Sequence, residues 1–167
     1  MQDIEIQAHE AWDRGDVRAA FTLFVKAASA GSYGCALNLG YLYDEGLGIA
    51  RSKSSALHWY RQACRLGDHC GATNIAIVCR ERGQPRAMFR WFRKACEGDD
   101  GDAELDMAKC LLSGTGAVRS RDRVIRHLRR ALQSRHATPA GIEEAQALHR
   151  RLTSASSRRP LRGQRAP

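Results

Sequence analysis

Trp59-Tyr60-Arg61-Gln62-Ala63-Cys64 is one of four copies of a short pattern. The others are Leu23-Phe24-Val25-Lys26-Ala27-Ala28, Trp91-Phe92-Arg93-Lys94-Ala95-Cys96 and His127-Leu128-Arg129-Arg130-Ala131-Leu132. Each copy has two bulky positions, two mainly basic ones, then Ala and a small or apolar residue, with His127 as the polar exception. Phe24 and Tyr60 stand 36 residues apart, Tyr60 and Phe92 32, Phe92 and Leu128 36. A second motif precedes each copy. Its small-residue register is Ala8, Gly40, Ala76 and Ala108, at steps of 32, 36 and 32, and a glycine closes each segment at Gly15, Gly46, Gly83 and Gly114. Small residues let crossing helices approach, and glycine can take the left-handed conformation that ends a helix. A fixed period of this length marks a repeat architecture. Each unit therefore reads as helix A, turn, helix B.

The alternating step has a local source. Units one and three join their helices through short turns, Gly15-Asp16-Val17-Arg18-Ala19 and Gly83-Gln84-Pro85-Arg86-Ala87. Units two and four carry four extra residues, with Gly46-Leu47-Gly48-Ile49 and Gly114-Thr115-Gly116-Ala117 followed by Arg51-Ser52-Lys53 and Arg119-Ser120-Arg121. Extra residues in a surface turn leave the helix faces undisturbed.

Unit two carries a resemblance: Ala36-Leu37-Asn38-Leu39-Gly40-Tyr41-Leu42-Tyr43, then Gly46 and Gly48, then Ala56, Trp59-Tyr60 and Ala63, closed by Gly67. This is similar to the tetratricopeptide class, most closely its Sel-one-like branch, over roughly residues 1 to 135. The resemblance implies an all-α, right-handed solenoid of four antiparallel helix pairs, with the A helices lining a concave face. The units fall at about 1–31, 32–67, 68–98 and 99–135. Residues 138–152 read as a C-terminal capping helix covering the last apolar face, with Thr138 capping its start, Pro139 in its first turn, and acidic residues preceding basic ones. The repeat domain thus spans 1–152. Ser, Arg, Pro and Gly dominate residues 153–167, which read as a basic disordered tail.

The chain of 167 residues has a formal charge of +9 and is 43% apolar, which excludes disorder as its main state. Residues 1–116 hold 14 basic and 15 acidic side chains, whereas 117–167 hold 13 and 3. The excess therefore lies in the last third. Of the 27 basic residues 23 are Arg, a bias compatible with an acidic partner and with a GC-rich bacterial coding background. There is no long apolar run for a bilayer and no apolar stretch near Met1 for a signal peptide, so the chain is expected in the cytoplasm, with no membrane role.

Chemistry-bearing patterns are sparse. Five of six cysteines occupy repeat slots held elsewhere by Ala, Leu, Val or Tyr, so they read as small core hydrophobes; only Cys70, beside His69, falls in a linker. The spacing matches no zinc motif, and the acidic run Glu97–Asp106 lacks the glycine and glutamate positions of a calcium loop. It reads instead as an inter-unit turn in which Asp102 caps the next helix A. The histidines form no HExxH, and no phosphate loop, dinucleotide fingerprint or nucleophile elbow occurs. No enzyme activity, metal, cofactor or small-molecule substrate is expected.

What remains is a protein-binding scaffold. In the tetratricopeptide class the exposed A-helix positions line a peptide groove. By register these positions are His9, Asn38 with Tyr41, Asn74 with Ile77, and Asp106 with Lys109; one turn on come Trp12, Asp44 and Arg80. Two amides on neighbouring helices can pair with an extended peptide backbone. Small Sel-one-like proteins of bacteria resemble adaptors, regulators or immunity proteins that neutralise a secreted toxin, so the expected partner is a toxin, effector or signalling protein. The alternative is nucleic acid, held by Arg126, Arg129, Arg130, Arg150 and Arg151.

Overall fold

The computed structural model describes residues 2–156, and every described element is helical. In order these are α1 (Gln2–Asp13), α2 (Val17–Ser29), α3 (Tyr33–Glu45), α4 (Lys53–Arg65), α5 (Cys70–Glu81), α6 (Pro85–Ala95), a 3₁₀ turn at Cys96–Gly98, α7 (Gly101–Ser113), α8 (Arg121–Gln133) and α9 (Pro139–Ser156). The fold class is an all-α helical-repeat solenoid, as the resemblance implies. The chain divides into two compact units at Gly98/Asp99, which is the boundary between the third and fourth sequence repeats. The first unit holds three helical hairpins, α1–α2, α3–α4 and α5–α6; the second holds α7–α8 and α9.

The bulky motif supplies the core. Phe24, Tyr60, Phe92 and Leu128, the second of each bulky pair, are at most 1% exposed, and each such burial contributes about 1.5–3 kcal/mol. Leu23, Trp59, Trp91 and His127, the first of each pair, are only half-buried. Ala8, Gly40, Ala76 and Ala108 are all buried, as their register requires. Gly40 shows why: a Cβ there would stand 2.3 Å from Tyr60 Cδ1, so only glycine lets α3 lie against the Tyr60 ring. Among the six free cysteines, Cys35, Cys79 and Cys110 are buried, Cys64 and Cys96 half-buried and Cys70 exposed. Burial pushes the thiols of Cys35, Cys64 and Cys79 up, away from the reactive thiolate.

The two long turns are built alike. Gly46 (φ 73°) and Gly114 (φ 81°) end α3 and α7 in the left-handed conformation. Arg51 and Arg119 then reach back, each donating from Nε to a carbonyl at the end of the preceding helix, Asp44 O at 2.7 Å and Ser113 O at 3.0 Å. The next residues, Ser52 and Ser120, cap α4 and α8 by accepting from Ser55 and Arg123 N–H. The Arg-Ser dipeptide thus ties off one helix and starts the next.

The second unit corrects two readings. Asp100, not Asp102, caps α7, accepting from Ala103 N–H at 2.9 Å. Asp102 instead receives Thr138 N–H and the Thr138 hydroxyl, the latter at 3.0 Å, and so anchors the loop before α9. Thr138 caps α9 through Gly141 N–H, 3.1 Å from its Oγ1. α9 packs against α7 and α8 and buries Ala145 fully. It continues to Ser156, so residues 153–156 prolong the helix where a tail was expected; the remainder of that tail lies outside the described residues.

Candidate partner-binding face

On helices, side chains spaced i, i+3 and i+4 share one face. His9 and Trp12 of α1 meet Asn38, Tyr41 and Leu42 of α3 by this rule, and together with Phe24 of α2 they line a pocket of about 190 Å³. Phe24 and Leu42 form a buried floor. His9 lies edge-on to Phe24, with ring centroids 5.4 Å apart. Trp12 is half-buried and Tyr41 is 49% exposed, so two aromatics stand at the mouth. The half-buried Asn38 amide makes no hydrogen bond to any described residue. Its donors and acceptor are therefore open to a ligand's main chain. The pocket offers apolar walls and one amide, with no nucleophile–base pair.

Four register-selected residues thus converge, while others are engaged elsewhere. Asp44 is buried, and does not lie on the open face as expected. Lys53 Nζ forms an ion pair with its Oδ1, and Tyr60 donates its hydroxyl to Oδ2 at 3.4 Å. Lys53 also contacts Glu81 Oε2 at 2.6 Å, so one ammonium joins α3, α4 and α5. Burial and the neighbouring Asp44 push the Tyr60 phenol up, so it stays a donor. Asn74 and Ile77 are half-buried on α5 and Arg80 is exposed there, none of them lining the α1–α3 pocket.

In the second unit, Lys109 stands 3.9 Å from Asp106 and 2.7 Å from Glu144 of α9. It lines a broader groove of about 420 Å³ with Leu112 and Ser113, facing Glu144, Ala147, Leu148 and Arg151. Lys109 and Leu112 hold the register positions of His9 and Trp12, and Glu144, Ala147 and Leu148 repeat the spacing of Asn38, Tyr41 and Leu42. α9 therefore stands to α7 as α3 stands to α1, a final helix A without its helix B. The outward positions Glu143, Gln146 and Arg150 are exposed and polar, as a terminal cap requires. Arg126, Arg129 and Arg130 share an exposed stripe of α8, whereas Arg151 lies in the α7–α9 groove.

Sequence reasoning missed Phe24, Leu42, Glu144 and Leu148. Phe24 and Leu42 read as core, which they are, and nothing in sequence marks a core residue that also floors a pocket. The irregular linker before α9 hides its register.

The Sel1 repeat family model matches residues 13–32, 35–68, 89–100 and 101–136, more than half of the sequence. The chain is a Sel1 repeat protein. Its fold is similar to the crystal structure of a Sel1 repeat protein from Oxalobacter formigenes, with a TM-score of 0.73 at 22% identity over 86% of this chain and 60% of that one. It is also similar to a protective antigen of uropathogenic Escherichia coli displaying an SLR fold, with a TM-score of 0.65 and 22% identity over 74% of this chain and 28% of that one. An F-box protein of Arabidopsis thaliana is 31% identical over 107 residues, 60% of this chain and 29% of the plant protein. The Sel1 repeat chain thus spans less than two thirds of each of these relatives. Sel1 repeat solenoids are generally non-enzymatic protein–protein interaction modules. No described helix of this one is long and apolar enough to cross a membrane.

Proposed function

We propose that this Sel1 repeat protein holds a partner protein through the A-helix side of its first unit, with the α1–α3 pocket as the anchor. One observation carries the reading: an unpartnered Asn38 amide beside a buried apolar floor, flanked by Trp12 and Tyr41. That set fits a segment of extended chain that inserts one bulky apolar side chain and pairs its backbone with Asn38. α1, α3 and α5 carry seven Asp/Glu against one Arg, which favours a partner whose surface is positive around the inserted residue. The role is stoichiometric binding in the cytoplasm, either neutralising a cognate secreted toxin or bridging proteins in a signalling assembly.

The test is a pull-down from the native host with the full chain and with N38A/Y41A. Both substitutions are at partly open positions, so the variant should keep its helical signal and melting temperature. The partner recovered by the wild type should be lost, and unchanged recovery contradicts the site. Co-expression with the product of a neighbouring gene separates the roles: rescue from a lethal neighbour identifies immunity, and the absence of such rescue leaves bridging.

A further inference from the structure

The hairpins separate charge by helix type. In the first unit the B helices α2, α4 and α6 carry nine Lys/Arg and no Asp/Glu, the reverse of their A helices. In the second unit α7 carries three acids and Lys109, whereas α8 carries five arginines and Asp122. A base-composition bias toward Arg would load both helix types, so it does not account for this division.

α8 is the extreme case. Asp122, Ile125, Arg126, Arg129, Arg130 and Gln133 follow helical spacing and lie along a shallow depression on its outer side. Arg126, Arg129 and Arg130 are exposed, and among the described residues only Arg130 of the three forms an ion pair, with Glu104 Oε1 at 3.7 Å. Asp122, at the start of the helix, lies one turn before Arg126 and lines the same depression, leaving the stripe with three arginines against one acid. The apolar residues Val124, Leu128 and Ala131 are buried inside the unit, so α8 has no free apolar face to lay into a lipid surface.

The stripe also lacks what a folded protein partner uses. Its one apolar member, Ile125, is half-buried, and it has no aromatic to serve as an anchor. For the same reason it has no platform on which unpaired bases could stack. What it does offer is a row of guanidinium groups, Arg126, Arg129 and Arg130, along about 6 Å of helix at 1.5 Å per residue. Such a row matches a backbone of regularly spaced phosphates, each able to accept two parallel N–H bonds. We infer that α8 is a phosphate-binding surface for duplex nucleic acid, independent of base sequence and additional to the protein-binding pocket.

Fluorescence anisotropy of the full chain with a labelled, mixed-sequence DNA duplex tests this. Affinity should fall steeply between about 50 and 200 mM salt, because each neutralised phosphate releases counterions. R126A/R129A should make the log–log salt slope shallower by about 2 and weaken binding at about 50 mM salt by on the order of tenfold or more. A polyglutamate peptide of matched charge should compete poorly. Three results overturn the inference: no binding at low salt, a salt slope unchanged in R126A/R129A, or displacement of the duplex by polyglutamate as effective as by unlabelled DNA.

Discussion

Lys53 is the residue on which the first unit's polar core turns. Its ammonium faces Asp44 of α3 and Glu81 of α5 while belonging to α4. Burial works to lower Lys53, but hydrogen bonds to Asp44 and Glu81 outweigh it and hold the group above its ordinary value. The hydrogen bond from Lys53 holds the Glu81 carboxyl below the usual range. A carboxyl lowered on folding stabilises above its unfolded value, about pH 4.3, and that contribution is lost as pH falls through the lower folded value. An ammonium raised on folding stabilises below about pH 10.4 and is lost as pH climbs through its folded value. K53M should therefore cost about 1–3 kcal/mol at neutral pH, since it strands the buried Asp44. Urea melts should show that deficit narrowing as pH falls below about 4, where Glu81 takes up a proton and loses its bond to Lys53. A deficit unchanged between neutral and strongly acid pH would show that Lys53 contributes only packing. The register located Asp44 but not this pairing. Its partners lie nine and sixteen residues downstream on a different helix, and a helix pattern says which face a residue takes without saying who meets it there.

At the scale of the element, the fourth hairpin explains its own departure from the repeat. Where units two and three place Ala36 and Ala72, unit four has Glu104; where they place Trp59 and Trp91, it has His127. His127 Nδ1 lies 2.5 Å from Glu104 Oε2, and Glu104 is only 4% exposed. At these two register positions a small residue and a large aromatic have been exchanged for a polar pair in contact. Removing either member alone leaves the other's polar atoms unsatisfied or a gap behind. E104A and H127W should each destabilise the protein, and E104A/H127W should recover part of the loss, with a coupling of about 1 kcal/mol or more in thermal or urea melts. Additive losses would mean that the two positions do not depend on each other. Helix positions and hairpin order were legible because bulky and small residues recur with one period. The depth of each bulky pair was not, since Phe24, Tyr60 and Phe92 look like their half-buried neighbours in composition. The N-cap at Asp100 was missed because three acids crowd one turn, and only backbone geometry selects among them.

The whole molecule's charge has two descriptions. Along the sequence, a near-neutral stretch of 116 residues precedes a strongly basic third. In the fold, acids gather on the A helices and arginines and lysines on the B helices within each hairpin. The second description depends on where helices begin and end, so the net charge of long segments conceals it. It also gives the two helices of each hairpin different chemistry, acidic on the A helix and basic on the B helix. The central claim concerns the pocket face. Its most direct measurement replaces Tyr41, at the pocket mouth, with a photo-cross-linking benzoylphenylalanine in the full chain, and Val118, 85% exposed on the α7–α8 turn, as the comparison. On irradiation in the native host, position 41 should join covalently to the one protein that wild-type bait recovers, and position 118 should not. Cross-linking of that protein from position 118 with none from position 41 would contradict the account.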